Sequence, residues 1–183
     1  MNKVRPKKSL GQHFLKDLSI AEQIADTLKP FSELPILEVG PGMGVLTDFL
    51  LEKYKQLKVI EIDRDSIPYL HNKYPEMGSN ILEGDFLQID ISALFPSPFC
   101  VIGNYPYNIS SQIFFKVLEY KHLIPCCSGM IQREVGIRLA AKPGNKDYGI
   151  LSVLIQAWYD VEYLFTVSEH VFDPPPKVKS AVV

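Results

Sequence analysis

Short apolar runs, each closing on Gly, Asp, Glu or Asn, alternate with amphipathic stretches along the early part of this 183-residue sequence. Runs of that length bounded by turn residues read as buried parallel strands, and the stretches between them as crossover helices, so the pattern predicts βαβ units and an α/β fold. Candidate strands are residues 35–39, 57–62, 80–84, 99–103, 126–132, 161–167 and 180–183. A first helix is predicted near 18–28 from Ile20, Ile24 and Leu28 at four-residue spacing, with Asp17 as its N-cap and Pro30 beyond its end. Ser110 or Ser111 is the expected cap of the segment SQIFFKVLEY. No repeat or flexible linker divides the chain, and 46% apolar content at this length supports one substantial core. Prolines cluster only in FDPPPKVKS, which reads as a stiff extended approach to the last strand.

The net charge of −2 is unevenly spread. Residues 1–16 carry Lys3, Arg5, Lys7, Lys8 and Lys16 and no acid, which leaves −7 on the remainder. A basic arm on an acidic body fits either a contact with a nucleic-acid phosphate backbone or a solvated tail. There is no apolar run of membrane-spanning length and no signal-peptide pattern at the N-terminus, so a cytoplasmic location without membrane contact is expected. Cys100, Cys126 and Cys127 are expected as reduced thiols, the last two pointing to opposite faces of a strand. The histidines, His13, His71, His122 and His170, lack ligand spacing, and no metal is expected.

The segment LEVGPGMGVLT sets Gly40, Gly42 and Gly44 between a strand and a helix, where glycines let the main chain turn and a ligand approach closely. The spacing G-x-G-x-G differs from the G-x-G-x-x-G of dinucleotide folds, which disfavours a nicotinamide enzyme. The next strand delivers Glu61 at its carboxyl end, where a carboxylate accepts hydrogen bonds from ribose hydroxyls; Asp63 is a rival for that role. The third strand ends in EGDF and offers Asp85 to an adenine amino group. A glycine loop and two strand-end acids in this order resemble the S-adenosylmethionine-dependent methyltransferase fold: Rossmann-like, with seven mostly parallel strands and helices on both faces.

The fourth strand runs into GNYPYNISS. There the Asn104 amide oxygen and a carbonyl of the rigid Tyr105-Pro106 turn can both accept from one amino group, and Tyr107 supplies a flat surface for a base. An amine on a purine ring is a weak nucleophile because its lone pair is delocalised. Two acceptors gripping its hydrogens favour the pyramidal form with the lone pair freed, so no strong general base is needed.

These motifs, together with KSLGQHFL (8–15), IEIDRD (60–65), QREV (132–135), YGILSV (148–153) and FDPPPKVKSAVV (172–183), resemble the ribosomal RNA adenine N6-dimethyltransferase family, and its small-subunit (16S) branch most closely. The resemblance implies dimethylation of two adjacent adenines near the 3' end of small-subunit ribosomal RNA in the immature particle, by a monomer. It implies a cofactor site lined by His13, Leu15, Gly40, Gly42, Glu61, Asp85 and Asn104, and catalytic roles for Asn104, Tyr105, Pro106, Tyr107 and Phe172, the last sandwiching the target adenine with Tyr107. His13 stands where many members have Asn, and Tyr105 where Leu is usual. Lys177 and Lys179 are either phosphate contacts or solvated lysines. The expected organisation is a basic arm (1–16) and a catalytic domain (17–183), without the helical C-terminal domain of the family. Rival readings are a large-subunit dimethyltransferase of the antibiotic-resistance type, a DNA adenine methyltransferase, and a non-catalytic RNA-binding assembly factor with the same fold.

Overall fold

The computed structural model describes Lys7 and residues 10–183. In chain order the elements are β1 (Phe14–Leu15), α1 (Leu18–Asp26), β2 (Ile36–Val39), α2 (Val45–Lys53), β3 (Leu57–Glu61), α3 (Ser66–Lys73), β4 (Ile81–Glu83), β5 (Cys100–Asn104), α4 (Ser110–Glu119), β6 (Cys127–Gln132), α5 (Arg133–Ala140), α6 (Ile150–Gln156), β7 (Phe165–Val167), β8 (Phe172–Asp173) and β9 (Ser180–Val182). A seven-stranded sheet runs β4-β3-β2-β5-β6-β9-β7, and only β9 lies antiparallel to its neighbours. The chain builds outward from β2 through β3 to β4, then crosses back to β5 on the other flank of β2. Such a reversal opens a crevice at the carboxyl ends of β2 and β5, where α/β sheets bind ligands.

Both faces of the sheet are buried, so the strand interiors carry apolar residues at successive positions rather than alternate ones. Ile36, Val59, Cys100, Ile102 and Met130 pack on the face covered by α1, α2 and α3. Leu37, Ile60, Val101 and Ile131 pack on the opposite face with residues of α4, α5 and α6. Asp17 caps α1 by accepting from the Ser19 and Ile20 N–H groups. The helix ends at Asp26, slightly short of the expected boundary. Neither Ser110 nor Ser111 caps α4, because a 3-10 turn over Tyr107–Ile109 leads directly into the helix; the Ser110 hydroxyl instead donates to Tyr107 O at 3.2 Å. The predicted 161–167 strand shrinks to Phe165–Val167. The three cysteines are free thiols, with Cys126 and Cys127 packed on opposite faces. Among the described residues, no helix is long and apolar enough to cross a membrane.

The side chain of Tyr105 fills a slot made by two register partners, Gly103 on β5 and Gly129 on β6. Its ring is 1% exposed, meets Phe114 edge-on at 6.0 Å, and its hydroxyl donates to Ser128 O at 2.8 Å. A Cβ on Gly103 lies 2.6 Å from Val39 O and 2.8 Å from the Tyr105 ring, closer than real atoms allow. Gly103→Ala is therefore expected to destabilise the fold by about 1–3 kcal/mol through overpacking, read as a lower urea midpoint. An unchanged midpoint would show that the slot is loose.

Candidate active site

The crevice predicted by the strand order is a cavity between the Leu10–Leu15 segment, the glycine loop and the carboxyl ends of β2, β3, β4 and β5. His13, Leu15, Gly40, Gly42, Glu61, Asp85, Asn104, Tyr105, Pro106 and Tyr107 all line it. The glycine loop turns through left-handed backbone at Gly40, Gly42 and Gly44, with φ of 69°, 58° and 77°. That geometry directs the Gly42 N–H back onto Glu61 rather than onto the next turn of chain.

Glu61 is 3% exposed and doubly held: Oε2 accepts from Gly42 N at 3.0 Å and Oε1 from Asp63 N at 2.8 Å. Burial raises its pKa, and these backbone donors pull it part of the way back. Asp63, the rival for the same role, is turned away from the cavity. Its carboxylate accepts from Lys7 Nζ at 2.6 Å, Gln12 Nε2 at 3.0 Å and Asp65 N at 3.1 Å. Burial works to raise the Asp63 pKa, but these donors outweigh it and leave it below the ordinary value. Asp85 sits on the cavity wall with Oδ1 accepting from Leu87 N at 2.9 Å, an Asx turn that fixes the carboxylate.

At the other end of the cavity, the Asn104 amide is oriented by one contact: Nδ2 donates to His13 O at 3.1 Å. A carbonyl only accepts, so the nitrogen must face His13, and Oδ1 is left as the acceptor on the cavity side. The His13 ring lies 5.4 Å from the Tyr107 ring, tilted by 31°, and its Nδ1 is 2.9 Å from Pro174 O. The Tyr107 hydroxyl is hydrogen-bonded to Ser180 Oγ. Pro106 O accepts from Ile109 N at 3.2 Å within the 3-10 turn, so the carbonyl of this turn left for a ligand is that of Tyr105.

Phe172 departs from expectation. Its ring is 1% exposed, belongs to the core on the α1 side, and does not line the cavity. The cause is a two-stranded antiparallel ribbon, β1 with β8, in which Leu15 pairs with Phe172 and turns it inward, where burial of an apolar ring is favoured. Tyr107 and His13 remain as neighbouring rings on the cavity wall by Asn104, and Phe14, Phe86 and Tyr105 also line the cavity. No strand pattern announces a ribbon of two-residue segments so far apart in sequence.

Sequence reasoning also passed over Glu38. It ends no strand, but it is 1% exposed, lines the cavity and accepts from Thr47 Oγ1 at 2.7 Å. Burial pushes its carboxyl up to about 8, partly opposed by the Thr47 hydroxyl. Its folded pKa is raised above the unfolded value, so its contribution is fully present below about pH 4.5 and is lost as pH rises toward 8. Glu38→Gln is expected to match the unaltered chain at pH 5 and to exceed its stability at pH 8 by a few kcal/mol, measured by denaturation across pH. Parallel pH profiles for the two would remove Glu38 as the source of the slope.

The comparisons agree with this geometry. The sequence model of the family described as ribosomal RNA adenine dimethylase matches residues 3–183. A "Ribosomal RNA small subunit methyltransferase A" of Parabacteroides distasonis is 69% identical over 183 residues, spanning all of this chain and 69% of that protein. The crystal structure of a dimethyladenosine transferase from Plasmodium falciparum superposes with a TM-score of 0.81 at 32% identity, over 93% of this chain and 62% of that one. That of the 23S rRNA methyltransferase ErmE gives 0.75 at 32% identity, over 92% and 67%. A cavity with strand-end acids below and an N-x-P-Y turn above, in a chain matched almost from end to end, places this protein in the ribosomal RNA adenine dimethylase family.

Proposed function

We propose that this chain transfers methyl groups from S-adenosylmethionine to the N6 amines of two adjacent adenines near the 3' end of small-subunit ribosomal RNA, acting as a monomer on the immature particle in the cytoplasm. The observation that carries the reading is the Asn104 amide, whose nitrogen is tied to His13 O and whose oxygen is left to the cavity. The residues fit the cofactor: a buried carboxylate steadied by two backbone N–H groups suits ribose hydroxyls, and Asp85 on the neighbouring strand end suits an adenine amine. S-adenosylmethionine, when bound, supplies an electrophilic methyl group.

The chain's own part is to hold and orient. Asn104 Oδ1 and Tyr105 O accept from the two N–H groups of the target amine and keep it pyramidal, while Pro106 fixes the turn between them. Tyr107 stacks on the base, held at its hydroxyl by Ser180 and flanked by His13. Stacking offsets part of the cost of extruding the base, about 1–3 kcal/mol per base. Alignment then supplies the rate through proximity.

The 69% identity to a small-subunit enzyme favours that substrate over the large subunit, to which the ErmE likeness points at 32%. The deciding experiment incubates the protein with immature small subunits, and separately with large subunits, in labelled cofactor and maps modified bases by mass spectrometry. Two dimethylated neighbouring adenines in the small subunit are expected. Label confined to the large subunit would assign the chain to the resistance type, and cofactor binding without transfer to either would leave an assembly factor.

A further inference from the structure

The basic N-terminal arm is the obvious place to seek an RNA contact, yet its charge at Lys7 is already paired with carboxylates of the body of the protein. Lys7 Nζ lies 2.6 Å from Asp63 and 2.7 Å from Asp65, and these carboxylates raise its pKa. Lys3, Arg5 and Lys8 lie outside the described residues. The opposite situation holds beyond β6. Arg133, Arg138, Lys142 and Lys146, on α5 and the loop after it, and Lys177 and Lys179, between β8 and β9, are all exposed. None of the six joins an ion pair among the described residues.

The charge is concentrated as well as unpaired. Residues 133–149 and 173–183 together carry six cations against the three acids Glu134, Asp147 and Asp173, a balance of +3, so a chain of net −2 keeps −5 elsewhere. The two segments are joined: Arg133 N donates to Lys179 O at 2.9 Å. They also adjoin the target site. Asn104 pairs with Met130 across β5 and β6, so α5 starts at the same edge of the sheet as the N-x-P-Y turn. Ser180, the residue after Lys179, holds the Tyr107 hydroxyl.

Resting on the reading of the chain as a ribosomal RNA methyltransferase, we propose that α5 and the β8–β9 connection form the track for the RNA strand flanking the target adenine. The cations there neutralise its phosphates, and the N-terminal arm contributes the smaller share. Unpaired cations suit this role because each phosphate they neutralise releases condensed counterions, whereas a lysine already paired with carboxylates must first give up its partners. The track is backbone-directed: it fixes the register of the strand, while the Asn104 pocket selects the base.

The test measures binding of a labelled RNA fragment from the 3' end of small-subunit ribosomal RNA across a range of salt concentrations. Three proteins are compared: the unaltered chain, the quadruple variant Arg133→Ala, Arg138→Ala, Lys177→Ala, Lys179→Ala, and a deletion of residues 1–8. All four substituted side chains are exposed, and thermal melting checks each fold. If every removed cation served one phosphate, the slope of log affinity against log salt falls by about 0.7 per contact on single-stranded RNA. The quadruple variant is expected to lose about 2–3 from that slope and at least about 10-fold in affinity, with cofactor affinity unchanged and a smaller loss in the deletion. A quadruple variant with the original slope, or a deletion that loses more than it does, overturns the track. Methyl transfer by the unaltered protein is scored separately: if it binds the RNA through the track yet methylates neither subunit, the surface stands and the enzymatic reading falls.

Discussion

Asn104→Ala is expected to lower methyl transfer by about 10²–10³-fold, the effect of deleting one preorganised polar partner of a transition state. Affinity for S-adenosylmethionine should change only a few-fold. The side chain lines the cavity, but the one hydrogen bond of its amide among the described residues is to His13 O, so it is free to act on the amine rather than to build the cofactor site. Its replacement removes an acceptor from the pyramidal amine and also releases the Leu10–Leu15 segment at one point. Single-turnover transfer and calorimetric cofactor binding, run side by side, separate the two consequences. Should cofactor affinity drop in step with transfer, Asn104 belongs to the cofactor site and the acceptor role is lost.

Glu61→Ala is expected to act in the opposite order. The substitution removes an anionic acceptor and strands the Gly42 and Asp63 N–H groups that it satisfies at 3.0 and 2.8 Å. Hydrogen bonds to a charged group contribute about 1.5–3 kcal/mol each, so cofactor affinity should fall by about 10–100-fold. At saturating cofactor, much of the transfer rate should return. Asp63→Ala serves as the comparison, because Asp63 does not line the cavity and is engaged by Lys7 and Gln12. A larger affinity loss in Asp63→Ala than in Glu61→Ala would move the ribose contact to Asp63.

Much of the fold and part of the site were legible in the residues. Strands β2 to β6 were readable because parallel strands buried on both faces leave near-continuous apolar runs, and the strand-end acids Glu61 and Asp85 followed from where those runs stop. Asp17 announced α1 because a cap is a local hydrogen bond within a few residues of chain. The N-x-P-Y turn was read from its own residues after the fourth strand, and the family resemblance added His13 and Leu15 to the same list. What they did not give was the company each residue keeps.

Local sequence therefore determined the order of strands and helices, the glycine loop and the identity of the polar groups at the strand ends, since backbone preference and apolar spacing act over a few residues. Tertiary structure alone decided that Glu61 rather than Asp63 lines the cavity, that Phe172 turns into the core, that Glu38 titrates high, and that Lys7 is neutralised while Arg133 and Lys179 are not. Each of those outcomes depends on burial and on partners far away in the chain, and solvation and Coulomb energies are set by neighbours in space.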